Sequence, residues 1–476
     1  MVTRARDLPA PRAALATDDE RTALDVGTVA RLRGLALDRL SLDEAVDAAV
    51  GAVALAPAAA IDLAEAARLG PLCARAAERR RPIVLLASQG RGKPGKVDDR
   101  TAALAYLRAH GAVVTDDPDA WFEALVLVAA FGAPAGTRTA IVAPDGGWLQ
   151  LATQALGREE DARGATRTQL ADGLDEAGPA DVALVDASAL PPGAPERVGR
   201  AVVIPLVARG EALPSDGRVA LVGLRAALAA VTLAGRHSER LAEGLGPHPG
   251  KGKVDATRLE KAFAESNGLD RLGDHETKLF LSAYGAAVTR QGVATTPSAA
   301  VRFAQTCGFP VEAKVWDGRT PTEAELPVET GLTNPPDVRR AFAAVATSAG
   351  LDVGVPIIVR ATPPAGRSLA VRVVSLGPIG WTVIVDAGSG TRPAAAPAPL
   401  RRVDAEELAA GLEGSRAGDA PLDRAALAEL LIKISLAVVD READVEALEL
   451  GRVVVGAKGE GALVVDGRTR LRKKRR

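Results

Sequence analysis

The chain has 476 residues, 47% hydrophobic and 25% charged, with a formal net charge of −1. Its length exceeds one ordinary core and suggests about three globular modules. The balance of residue types excludes a disordered chain, and the near-neutral charge supplies no general field to attract nucleic acid or an anionic membrane.

Aromatic residues at 3% leave Ala, Val and Leu to build the cores. No apolar run reaches the roughly 20 residues of a membrane span. The opening Met-Val-Thr-Arg-Ala-Arg leads into Pro, Asp and Glu rather than an apolar signal region, so a cytoplasmic location is expected. Cys73 and Cys307 read as small buried hydrophobes.

In chain order, residues 1–40 are rich in Arg, Asp and Ala with scattered Pro, and read as a partly ordered leader with one short helix. From Ser41, where Ser41-Leu-Asp-Glu44 resembles a capping box, an interrupted helical periodicity runs to Arg80. Pro82–Ala87 is a short apolar run of the kind that forms a buried parallel strand. Alternation follows: helix at Thr101–His110, strand at Gly111–Val114, helix at Asp119–Phe131, strand at Arg138–Ala143. A second unit is expected from residue 137, with strands at Val182–Val185, Ala201–Ile204 and Val219–Val222 and a helix at Trp148–Leu156. Strands separated by helices of about ten residues indicate doubly wound parallel sheets.

Residues 243–257 read as a linker, since Gly and Pro crowd its first eleven positions. After it come a helix around Leu259–Ser266, a second helix ending Ala283-Tyr284-Gly285, and Cys307-Gly308-Phe309-Pro310-Val311-Glu312-Ala313-Lys314-Val315. Pro393–Pro399 reads as an extended loop. The basic end, 472–476, reads as a solvated tail.

The Tyr284-Gly285 helix end and the Gly308-to-Val315 strand resemble the opening of an ATP-grasp domain in the NDP-forming (ADP-forming) acyl-CoA synthetase, or acetate–CoA ligase, family. Weaker likenesses follow in the same order. Pro82–Gly92 resembles "KPVVVLKSGR", Arg138–Leu156 resembles "RVAIVTNAGGPGVLAADAL", and Leu430–Leu471 resembles the family's closing helix and strands. The resemblance implies an α/β fold: two flavodoxin-like doubly wound parallel-sheet domains, at 41–136 and 137–242, then an ATP-grasp domain at 258–471. The family's N-terminal CoA-binding domain has no counterpart here, so CoA is not expected to bind this chain alone.

By the same resemblance Lys314 would hold nucleotide phosphate and Glu449, in place of the first acid of "DINP", would be a metal ligand. Gly388 and Gly390 would keep the family's "GLGG" turn, although a loop between strands explains them equally. Gly146-Gly147 either opens an anion-binding helix start or makes a tight turn with Asp145 as N-cap. Lys278 matches a family position and is expected to reach solvent. ATP and Mg²⁺ are the implied cofactors, and a protein partner or second copy is the implied assembly.

Other parts of that chemistry are missing. The family's phosphoacceptor histidine, in "SHTG", falls where this chain reads Lys93-Pro-Gly-Lys96-Val-Asp98, and His110 lies past the next helix. The "HKSDVGG" loop is replaced by Thr320–Pro327, the acid of "VQEM" by Val359, and that of "REV" by Ser368. The resulting expectation is a degenerate structural or regulatory subunit with residual ATP binding. An active acid–thiol ligase completed by a partner, and a binding module for an acidic ligand or protein, are the competing readings.

Overall fold

The computed structural model describes residues 11–17, 20–57, 60–87, 99–142, 168–171, 177–191, 193–209, 211–214, 218–246, 253–264, 269–316, 328–348, 355–388, 393–411 and 422–473. They fall into two units that divide after Gly246.

The first unit begins β1 (Arg12–Ala16), α1 (Glu20–Leu32), β2 (Ala36–Arg39), α2 (Leu42–Asp47), β3 (Ala52–Leu55), α3 (Leu63–Glu78), β4 (Ile83–Leu86), α4 (Asp99–Ala109), β5 (Val113–Thr115) and α5 (Pro118–Phe131). Its first sheet runs β2-β1-β3-β4-β5, every neighbour parallel. The expected leader is therefore wrong for residues 12–39, which supply the first βαβ turn of this sheet. Ala13 and Ala14 are fully buried and Leu15 nearly so; the alanines hid a strand, because they carry little β-propensity. Ser41 and Glu44 do form a capping box. The helical periodicity from 41 to 80 is nonetheless broken by β3, whose four residues are all buried.

The unit continues with β6 (Thr139–Val142), β7 (Thr168–Ala171), β8 (Val182–Asp186), β9 (Arg197–Val198), β10 (Ala201–Val207), β11 (Leu221–Val222) and α6 (Leu224–Glu243). The second sheet runs β7-β6-β8-β10-β11 in parallel, with β9 antiparallel on β10. Counting only the parallel strands of each sheet, both orders are 2-1-3-4-5, as in doubly wound proteins.

Residues 41–136 and 137–242 do not form separate cores. One apolar cluster joins Leu15, Ala54 and Val84 of the first sheet to Ile141, Leu184 and Ile204 of the second through Trp121, Leu125 and Val128 of α5. A helix that is apolar all round must be covered on every side. Arg33 closes the junction: its guanidinium forms a two-armed bond to Glu123 of α5 at 2.8 and 2.9 Å and donates to the Ala220 carbonyl at 2.6 Å. Beside α1, a cavity of about 350 Å³ is lined by Leu15, Glu20, Ala23, Gly27, Leu37 and Arg39.

The second unit comprises α7 (Ala256–Ala264), β12 (Arg271–Leu272), α8 (Asp274–Ala283), β13 (Gln291–Ala294), α9 (Pro297–Cys307), β14 (Val311–Val315), β15 (Val328–Leu332), α10 (Pro335–Ser348), β16 (Ile357–Ala361), β17 (Arg367–Ser375), β18 (Trp381–Asp386), β19 (Ala394–Pro397), α11 (Arg402–Ala410), α12 (Arg424–Asp440), β20 (Val445–Val455) and β21 (Ala462–Leu471). Its two sheets are antiparallel: β13-β16-β14-β15 and β12-β21-β20-β17-β18-β19. Helices α9 and α10 pack on the smaller. Residues of α7, α8, α11 and α12 share one core with the inner face of the larger.

The proline-rich segment expected to be a loop instead supplies β19, which pairs Ala394–Pro397 with β18. It ends the sheet order, and proline's missing N–H is tolerated on such an edge. Cys73 and Cys307 are both buried and free.

Candidate functional site

Lys314 is the second-last residue of β14, in a strand whose five residues are all buried. Glu312 and Lys314 alternate with Val311, Ala313 and Val315, so the apolar set faces α9 and α10 while the charged pair faces the other way. Helix α8 is fixed first, by Gly285 at its end: a φ of +75° there suits only a residue without Cβ. Gly467 of β21 then lets α8 come close, since a Cβ on it would lie 2.5 Å from Leu450 and 3.2 Å from Thr277. The Gly467 N–H donates to Asp274 of α8 at 3.1 Å.

This approach gathers six ionised side chains. Lys314 Nζ lies 3.0 Å from Asp274 Oδ2 and 2.7 Å from Asp466 Oδ1. Lys278 Nζ donates to Asp274 Oδ2 at 3.1 Å and to Gln291 Oε1 at 2.7 Å. Arg360 of β16 donates to Glu312 at 2.8 Å, to Asp466 at 2.6 Å and to the Val465 carbonyl at 3.0 Å. Three cations thus meet three carboxylates, and the cluster is neutral. Breaking a buried pair leaves a charge uncompensated, which costs about 3–5 kcal/mol.

The titrations follow from this packing. Burial works against ionisation of Asp466, but Lys314 and Arg360 hold its carboxyl well below the usual range. Burial likewise opposes the Lys314 ammonium, and Asp274 and Asp466 more than reverse it, so its pKa is raised. For Lys278 burial prevails over Asp274, and its pKa falls to about 8. Lys278, expected in solvent, has a side chain only 2% exposed. The i,i+4 spacing that joins it to Asp274 sits on the helix face covered by β21, which no local pattern reveals.

Glu449 is not one of the carboxylates that hold Lys314. Its exposed carboxylate accepts from Arg470 at 3.1 Å. Arg372 of β17 and Arg468 of β21 are its direct cross-strand neighbours. Among the described residues no group of three His, Cys, Asp or Glu side chains is placed to hold a metal ion. A divalent cation does not fit here: Glu449 lies between guanidinium groups, and Asp466 already serves Lys314 and Arg360.

Gly388, with φ +70°, donates its N–H to Asp386 at 2.8 Å and turns the chain out of β18. Gly146, Gly147, Gly390 and the segment Thr320–Pro327 lie outside the described residues. Val359 is buried on β16, and Ser368 is exposed on β17. His110 caps α4, its Nδ1 at 2.8 Å from the Tyr106 carbonyl. Asp274, Glu312, Arg360 and Asp466 were missed from sequence. For Glu312 and Arg360 the signal was a charge inside an otherwise apolar strand, as in Ile357-Ile358-Val359-Arg360-Ala361; Asp274, on α8, and Asp466 carried no such signal.

Residues 263–471 match the model of an ATP-grasp domain. The beta subunit of ADP-forming acetate–CoA ligase II from Pyrococcus furiosus is 24% identical over 233 residues, which cover 45% of this chain and 96% of that subunit. A crystal structure from Pyrococcus horikoshii, 22% identical, covers 46% of this chain and 98% of its own with a TM-score of 0.41. The dinucleotide-forming acetyl-coenzyme A synthetase 1 of Ca. Korarchaeum cryptofilum, in complex with coenzyme A and Ca-AMPCP, is 27% identical. It covers 45% of this chain and 100% of its own, also at a TM-score of 0.41. Residues 263–471 are thus similar to ATP-grasp domains, and their curated relative is a subunit of an ADP-forming acetate–CoA ligase.

Proposed function

We propose that the chain is a nucleotide-binding, catalytically degenerate subunit of the ADP-forming acyl-CoA synthetase type, acting as a structural or regulatory partner rather than as a complete ligase. The observation that carries this reading is the placement of Lys314 between two carboxylates, each of which has a further donor. Asp274 keeps Lys278 and the Gly467 N–H, and Asp466 keeps Arg360. Lys314 can therefore turn to a phosphate without stranding a buried charge, and its raised pKa keeps it cationic.

The same surroundings argue against turnover by this chain alone. Phosphoryl transfer draws nearly all of its rate from positioning and charge stabilisation. Glu449 is engaged by Arg470, Val359 offers no carboxylate, and the four histidines include none in the position of the family's phosphoacceptor. The two parallel sheets, each ordered 2-1-3-4-5, support their reading as the flavodoxin-like domains that accompany an ATP-grasp domain in this family. A partner subunit would supply CoA binding.

Calorimetry with ATP tests the binding, which Lys314→Ala weakens by about tenfold or more. Magnesium-dependent thioester synthesis by the purified chain would overturn the degenerate assignment. A second reading, an active ligase completed by another chain, is favoured by the relative's description as a subunit. It requires that a histidine-bearing partner restore synthesis.

A further inference from the structure

The cavity beside α1 opens at the carboxyl ends of β1 and β2, the edge on which doubly wound sheets place their ligands. The parallel register sets Leu15 beside Arg39, and Leu37, two residues before Arg39, shares that face. Helix α1 crosses it with Glu20, Ala23 and Gly27, spaced three and four residues apart along one stripe. Ala23 and Gly27 are too small to fill the gap, which leaves about 350 Å³ open, the size of a small-molecule site. Neither backbone nor packing asks for a glycine at 27. It lies inside a regular helix without a positive φ, and a Cβ there would meet nothing within 4 Å. Glycine weakens a helix interior relative to alanine, so what this one supplies is the space.

The walls are apolar, with Leu15 buried and Leu37, Ala23 and Gly27 half-buried. The two charged groups are exposed: Glu20, the first residue of α1, and Arg39, the last of β2. Among the described residues no ion pair joins one to the other. A guanidinium fork takes a carboxylate through paired hydrogen bonds, and a carboxylate takes an ammonium. A ligand with a single charge would satisfy one of these groups and be repelled by the other, whereas a zwitterion satisfies both. An aliphatic body gains by leaving water for the two leucines. We propose that this cavity binds a free aliphatic α-amino acid of leucine's size, its carboxylate on Arg39 and its ammonium on Glu20. The assignment is independent of the nucleotide reading, whose lysine, Lys314, lies in the second unit.

The test is calorimetry of the full chain with L-leucine, alongside isocaproate, which lacks the ammonium, and isoamylamine, which lacks the carboxylate. L-Leucine is expected to bind with a Kd below about 1 mM, and each analogue about tenfold more weakly or worse. Arg39→Gln and Glu20→Gln, both at exposed positions where folding is not at stake, each weaken L-leucine binding by about tenfold. Gly27→Leu, whose side chain fills the cavity and suits a helix better than glycine, abolishes it. Arg12→Gln, at the other end of β1 and paired with Asp38, leaves it unchanged. Absence of L-leucine binding at about 10 mM overturns the proposal. Isocaproate binding as tightly as L-leucine overturns the zwitterion assignment, and binding indifferent to Gly27→Leu removes the ligand from this cavity.

Discussion

At the junction of its two sheets, the first unit sets Arg33 against Glu123 as a buried pair satisfied largely by backbone: the Ala220 carbonyl accepts from Arg33, and the Val222 N–H donates to Glu123 at 3.0 Å. The second unit meets the same problem chiefly with side chains holding one another, Lys278, Lys314 and Arg360 against Asp274, Glu312 and Asp466, while the Val465 carbonyl and the Gly467 N–H are its backbone contributions. Fixed amides confine the first pair to one arrangement. A ring of long side chains sharing acceptors can exchange partners, and that is the property a ligand-binding lysine needs.

The sharpest way to break this contrast is Asp274→Ala. It strands the buried Lys278 ammonium, while Lys314 keeps Asp466, and should cost about 3–5 kcal/mol, read as lost hydrogen-exchange protection in the second unit while the first keeps its own. Glu123→Ala should do the reverse, at about 3 kcal/mol. Equal loss in both units for either variant would deny that the networks are local.

Acid offers the next probe. His237 of α6 is 1% exposed, and burial, then the neighbouring Arg240, lowers its pKa from 6.5 to about 4. The unfolded chain therefore binds this proton first. Its stabilising contribution is complete above about pH 6.5 and is lost as the pH falls towards about 4, a span on the order of 3 kcal/mol. The first unit should weaken across that window and His237→Leu should flatten the dependence there, whereas Asp274 and Asp466 of the Lys314 cluster, with lowered pKa values, give way only in stronger acid.

Smaller effects calibrate the scale. Asp62 accepts from the Glu65 N–H at 2.8 Å as the N-cap of α3, and Asp62→Ala should cost about 1 kcal/mol, read from the urea midpoint. Gly27 stands mid-helix in α1, and a Cβ added there would meet nothing within 4 Å. Gly27→Ala should stabilise the first unit by about 0.5–1 kcal/mol, and a destabilised variant would show that the cavity beside α1 is occupied.

Much of the frame was legible because each signal was local. The Tyr284-Gly285 helix end, the all-apolar α5 and the buried strands from 82 to 222 announce themselves within a few residues. What escaped needed knowledge of distant packing. Alanine at 13 and 14 reads equally as helix or strand until β2 and β3 flank it. Lys278 looks like a surface charge until β21 lies across α8, and Glu449 looks like a metal ligand until Arg372 and Arg468 arrive on either side from remote strands. Lys314 was found through family likeness, and its partners Asp274 and Asp466, 192 residues apart, only through the fold.

Trp316 follows Lys314 by two positions and donates its indole N–H to Glu276 at 2.7 Å, on the same helix that carries Asp274 and Lys278. Its emission colour and intensity should register any shift of α8 against β14. The molecule thus carries a native optical probe beside its candidate site, able to follow a titration without an attached dye.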